Sequence, residues 1–182
     1  MNKHDVIAML GLEPHVEGGY FRRTYTSGSE LRLERPGGGR PLLTTIHYLL
    51  TDDSPVGCFH RNRSDILHFF HAGWPLTYLL ISPSGELERH LLGPDLNRGH
   101  RPQLLVRGGV WKATVLEAGP YGLVSEAVAP GFDYRDMELA RPESMRAAFP
   151  QLWERIAPYV RGAARGPAGR VGRDASEKDH DT

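Results

Sequence analysis

Cysteine is almost missing from this chain: Cys58 is the single one in 182 residues. That excludes an internal disulfide and a cysteine-based zinc cage, and it makes a reducing cytoplasm the expected compartment. Net charge is missing too. Lys plus Arg number 22 and Asp plus Glu number 22, so the basic excess of a nucleic-acid binder is not there, and nucleic acid is not an expected partner. No apolar run approaches the ~20 residues that cross a bilayer. The opening stretch MNKHDVIAMLGLEP is too short and too interrupted for a secretory signal, so no membrane partner is expected either. Lysine is scarce: three of the 22 basic residues are Lys, a bias to which no function is attached.

What is present is an ordinary globular composition, 40% hydrophobic and 24% charged, long enough for one domain with a sizeable core. Val6, Ile7 and Leu10 share a face of a short helix over residues 4–10, which Gly11 and Pro14 end. From Tyr20 to about Val128 the pattern changes to short apolar or alternating runs such as LLTTIHYLL, LTYLLI and WKATVL. Clusters such as TDDSPVG, SPSGE and EAGPYG punctuate them. Short runs at this spacing predict an all-β sandwich or barrel, and the absence of βα alternation disfavours a parallel sheet. SPSGE and EAGPYG read as tight hairpin turns. Residues 143–160 read as a helix interrupted at Pro150, with Phe149, Leu152, Trp153 and Ile156 packing on the barrel. Residues 1–161 are thus expected to form one domain. Residues 162–182 carry no aromatic and one β-branched aliphatic, and read as a disordered tail.

The segments HVEGGYFRRTY, FHRNRSDILHFFHAGWPL, LGPDL, GGVWKA and VAPGFDYRDMELA occur in an order and spacing that resembles the DUF985, or cupin-5, family of the cupin superfamily, over about residues 10–140. The resemblance implies a double-stranded β-helix, that is, a jelly-roll barrel with short N- and C-terminal helices. It also implies a homodimer and an open barrel mouth that takes a small molecule. The chain departs from the family pattern at informative places. Ile66 stands where the family carries Glu, His68 where it often carries Trp, and Phe69 where it carries His. His71 and Trp74 replace an aromatic and an acid.

Metal-dependent cupins bring imidazoles and a carboxylate together inside the barrel. His60 matches one ligand position, but Ile66 cannot coordinate, and Trp111 stands near where a later motif would supply His. The expectation is therefore no metal cofactor, with a transition metal as the alternative. In a strand, residues two apart share a face. If Ile66 points inward, so do His68 and Phe70, which joins His68 to His60. Two such imidazoles suit proton transfer; the alternative for His68 is simple space-filling. Glu126 on a late strand is the third candidate catalytic group, its pKa raised if it enters an apolar cup, unless it faces outward. Tyr20, Arg22, His47, Phe70 and Trp111 are the candidate substrate-binding residues. Arg22 would hold an anion or else be salt-bridged within the sheet, and the face that His47 takes is open. His15, His90 and His100 lie beside turn signals and read as solvated. Cys58 reads as a small hydrophobe.

These residues lead to the expectation of a metal-independent cupin enzyme that isomerises, epimerises or cyclises a small polar substrate by proton transfer. The alternatives are a non-catalytic small-molecule-binding cupin and a metal-dependent lyase or dioxygenase.

Overall fold

The computed structural model describes residues 1–34 and 37–163 of the chain. It opens with helix α1 (Lys3–Leu10). Asn2 accepts from the Asp5 N–H at 3.0 Å, and the Asp5 carboxylate accepts from the Asn2 N–H at 3.2 Å. This reciprocal cap satisfies two otherwise orphaned donors. Gly11, left-handed at φ 58°, ends the helix.

Thirteen strands are formed among the described residues: β1 (Glu13–Pro14), β2 (Tyr20–Thr26), β3 (Glu30–Arg32), β4 (Gly39–Pro41), β5 (Thr44–Thr51), β6 (Val56–Asn62), β7 (Asp65–Gly73), β8 (Leu76–Ile81), β9 (Leu87–Leu92), β10 (Gln103–Val106), β11 (Trp111–Val115), β12 (Tyr121–Ala129) and β13 (Met137–Leu139). They build a six-stranded sheet in the order β1-β2-β5-β12-β7-β10, a five-stranded sheet in the order β13-β6-β11-β8-β9, and a ribbon of β3 and β4. From β5 to β8, and again from β10 to β13, successive strands alternate between the two sheets, and the strand pairs are antiparallel. This is a jelly roll. SPSGE is the hairpin its residues predict, with the Ser82 N–H donating to Glu86 O and the Gly85 N–H to Ser82 O. EAGPYG is not a hairpin: it carries the chain from β11 in one sheet to β12 in the other. Turn residues signal a reversal of direction but not which sheet receives the next strand.

Three apolar clusters hold the sheets. Tyr48, Leu50, Leu76, Tyr78, Leu80, Leu104 and Val124 meet between the sheets. Phe59, Leu79, Ile81, Trp111, Ala113 and Val115 lie on the outer face of the five-stranded sheet, under Met145, Leu152, Ile156 and Val160 of the C-terminal segment. That segment comprises α2 (Pro142–Ala148), a 3-10 turn at Pro150–Leu152, α3 (Trp153–Ile156) and a closing 3-10 turn. Pro150 removes the donor a continuous helix would need. Val6, Leu12, Leu49 and Tyr121 form the third cluster, beneath α1. Each fully buried large apolar side chain contributes roughly 1.5–3 kcal/mol. Arg40 of β4 is wholly buried and grips Asp136 through two hydrogen bonds of 2.8 and 3.1 Å, tying the ribbon to the segment before β13. Among the described residues no helix is long and apolar enough to cross a membrane. The tail expected from residue 162 lies, from 164 on, outside the described residues.

Candidate active site

Alternation along the strands decides which side chains face the interior. In the six-stranded sheet Glu126 lies in register between Ile46 and His68. In the five-stranded sheet Lys112 lies between His60 and Leu80. The two rows face each other across the barrel, and their polar side chains meet inside it.

His68 is 0% exposed and Lys112 is 2% exposed. Lys112 Nζ lies 3.3 Å from His68 Nε2 and 3.2 Å from Glu126 Oε1. An ammonium only donates, so Nε2 accepts and the proton of the neutral ring sits on Nδ1. That nitrogen lies 3.2 Å from Glu126 Oε1 and 3.1 Å from the Tyr78 hydroxyl. Burial pushes His68 down to about 4, with Lys112 adding to the effect and Glu126 opposing it. Burial works to raise Glu126, but Lys112 and His68 outweigh it and hold the carboxyl well below its ordinary range.

A second group is delivered by the loop before β2. The Gly18 N–H donates to His15 O at 3.1 Å and the His15 N–H to Gly19 O at 2.9 Å. Gly18 has φ 109°, and a Cβ there would stand 2.1 Å from Val56 O, so glycine is what lets the loop lie against β6. The Cys58 N–H donates to Glu17 O at 2.8 Å. This backbone latch carries the Glu17 side chain to His60, with Oε2 3.3 Å from Nε2. On the other side of the ring, Nδ1 lies 2.8 Å from Cys58 O. A carbonyl only accepts, so Nδ1 holds the proton and Nε2 presents its lone pair to Glu17. Burial pushes His60 down to about 3, with Lys112 acting the same way. Burial pushes Glu17 up to about 8 against the pull of Lys112. The carboxyl and the imidazole thus stand 3.3 Å apart, each pushed by burial toward its uncharged form. His15 stands beside it, 3.6 Å from Glu17 and edge-on to Phe21.

This donor set does not fit a metal ion. Among the described residues no group of three or more His, Cys, Asp or Glu side chains is arranged to hold one. The lone pairs that would be offered, His68 Nε2 and Glu126 Oε1, are engaged by the Lys112 ammonium. Ile66 is buried on the inner face and offers no donor. What the site holds is a fixed internal cation, a neutral base and a neutral acid.

His60, His68 and Glu126 come together, and Phe70 packs against the inner cluster beside them. The other predicted binding residues are not brought there. Trp111 points the opposite way from Lys112, into the outer core, with the Arg61 guanidinium 4.6 Å above its ring. Tyr20 packs beneath α1, and Arg22 is exposed and donates to Gly11 O. His47 lies on the outer face of the six-stranded sheet, its ring 6.2 Å from that of His71. Arg23, one residue on from Arg22, takes the inner parity at the rim and reaches 5.6 Å from the Phe132 ring. His15 is not solvated but half-buried over Glu17, and His90 and His100 are also only half-exposed. Sequence reasoning missed Lys112, Glu17 and Tyr78. Lys112 was legible as the one charged residue within the strand WKATV. Glu17 lies in a glycine loop, where no periodicity assigns a face.

Solvent meets the inner face beside Phe21, Ile46 and Phe70, which are half-exposed although they pack on the inner cluster. A family model described as Cupin superfamily (DUF985) matches residues 4–140. The chain is similar to an uncharacterized protein of Saccharomyces cerevisiae, 38% identical over 142 residues that make up 71% of this chain and 70% of the yeast protein. Its fold is similar to that of a hypothetical protein from Leishmania major, with a TM-score of 0.82 and 32% identity over 88% of this chain and 99% of the other. A structure from Shewanella oneidensis superposes with a TM-score of 0.80 and 38% identity, covering 88% of this chain and 98% of the other.

Proposed function

The chain belongs to the DUF985 family of the cupin superfamily, and on that footing we propose that it is a metal-independent small-molecule enzyme which isomerises or epimerises a small polar substrate by proton transfer. The observation that carries this reading is the Glu17–His60 contact of 3.3 Å on the inner face, between a carboxyl held protonated and an imidazole held neutral. A substrate that displaces the carboxyl from Nε2 exposes a base and an acid together. His60 takes a proton from a substrate carbon. Lys112, in register with His60, stabilises the negative charge that develops on the adjoining oxygen, an interaction strengthened by the dry surroundings. Glu17 returns a proton at a second atom, and His60 then restores the proton to Glu17. His68 and Glu126 hold Lys112 in position. Arg23 at the rim offers a charge partner for an anionic substrate end.

The test is solvent-deuterium incorporation, read by mass spectrometry, into a panel of small hydroxyketones and sugars incubated with the purified chain. Exchange that survives a chelator and is lost in His60→Gln is the expected result. A non-catalytic binding cupin is the second reading, favoured by the complete burial of His68. It predicts a compound that raises the melting temperature yet exchanges no hydrogen.

A further inference from the structure

A groove of about 350 Å³ lies on the outside of the barrel, between the loop that leads into β8 and the loop that joins β9 to β10. Its volume falls in the range of small-molecule sites, about 300–1,000 Å³. It shares no residue with the interior group. One wall is Trp74, 45% exposed. A Cβ on Gly119 would stand 2.2 Å from the indole ring, so the ring packs directly against the bare Gly119. The ring is thereby fixed while much of it stays open to the groove.

The charged groups around the groove divide into a paired set and an unpaired one. Both oxygens of Glu117 accept from Arg89, at 3.0 and 2.9 Å, and the Thr77 hydroxyl accepts from Arg89 at 3.2 Å. His100 Nδ1 accepts from the Asp95 N–H at 3.3 Å, so the neutral ring carries its proton on Nε2 and has a donor left. The Arg98 guanidinium also lines the groove, and among the described residues its side chain makes no hydrogen bond or ion pair. The Glu117 carboxylate is paired with Arg89, whereas Arg98 and His100 keep donors without a partner among the described residues. A rigid aromatic platform beside unspent donors, one of them a full positive charge, selects a flat ring that carries an anion.

We propose that this groove is a second ligand site, which binds a planar aromatic or heteroaromatic anion with its ring on Trp74 and its phosphate or carboxylate on Arg98 and His100. It is independent of the chemistry in the barrel.

Isothermal titration calorimetry of the full chain tests this with adenosine monophosphate as a ring bearing phosphate and indole-3-acetate as a ring bearing carboxylate. Adenosine and inorganic phosphate serve as the two halves. Saturable binding of at least one aromatic anion is expected, with each half weaker by about tenfold or more, the scale of one charge-assisted hydrogen bond. Trp74→Leu and Arg98→Ala should each weaken it by a similar factor, while His60→Gln leaves it unchanged. The two anions report which acidic group the site prefers. No saturable binding of either anion overturns the proposal. So does binding that survives both groove substitutions, or binding that His60→Gln abolishes.

Discussion

Lys112 and His60 face each other in register across β6 and β11, yet each is tied to a different carboxyl group: Lys112 to Glu126 at 3.2 Å and His60 to Glu17 at 3.3 Å. The two carboxyls are pushed in opposite directions. Glu126 has a cation against it and is held ionised. Glu17 is buried with an imidazole as its nearest partner and is held protonated. One small interior therefore contains an acid and a permanent anion, which is the separation that acid–base chemistry at neutral pH requires.

Removing the internal cation leaves Glu126 buried without its counter-charge. Lys112→Met is expected to lower stability by about 3–5 kcal/mol in urea denaturation, the cost of breaking a buried pair. Lys112→Met combined with Glu126→Gln should recover a large part of that, since neither charge then remains. A single-variant loss under about 1 kcal/mol, the scale of a surface pair, would mean that water reaches the group freely.

Stability should pass through a maximum near pH 6.5. His60, His68 and His15 fall from 6.5 to about 3, about 4 and about 4 on folding. The unfolded chain therefore binds more protons between about 4 and 6.5, and stability rises with pH there. Glu17 runs the other way. Its pKa rises from 4.5 to about 8, so the folded chain binds the extra proton in that window and stability falls as pH increases. Three imidazoles outweigh one carboxyl up to 6.5, and Glu17 acts from there to 8. Thermal melts across pH 4–9 should give this dome, and Glu17→Gln should flatten the alkaline limb and steepen the acid limb above about 4.5. An alkaline limb unchanged in Glu17→Gln would remove Glu17 from this role.

His60→Gln is expected to slow the chemical step by roughly 10²–10⁴-fold, the usual contribution of a positioned base. His68→Gln should act mainly through Lys112 and cost less. Single-turnover exchange measurements separate the two. Equal losses would make His68, rather than His60, the group to pursue.

A homodimer is expected from the family resemblance. Among the described residues, the outer face of the six-stranded sheet, with His47, Phe69, His71 and Leu105, carries no covering helix beyond the reach of α1, and a second copy of the chain is its expected occupant. Light scattering should give about twice the 20.3 kDa chain mass. A 20.3 kDa particle at micromolar concentration would count against it.

The fold was legible because jelly-roll strands leave short apolar runs between turn residues, and because five ordered motifs mark the family. Within the site, legibility followed the periodicity. Ile66, His68 and Phe70 share a face by simple alternation, and they share it in the structure. At Trp111 and Lys112 alternation gave no answer, because all of WKATV is buried: β11 is central in its sheet, with the interior on one side and the C-terminal helices on the other. The aromatic drew attention, and the lysine beside it is the one turned inward. Arg22 and Arg23 pose the same one-residue ambiguity on β2. Glu17 was illegible for another reason: its place is set by a backbone bond to Cys58, a contact between distant segments that no local pattern encodes.

The hydrogen bond from His60 Nδ1 to the Cys58 carbonyl has a bearing on how relatives of this chain are compared. The group that fixes the ring's tautomer is part of the main chain, and every amino acid supplies it. Position 58 can drift through many residue types while the lone pair on Nε2 keeps its direction, as long as the strand holds its path. An alignment column at 58 can therefore look unconstrained although the peptide unit there orients the base, and a motif written in one-letter code has no symbol for it.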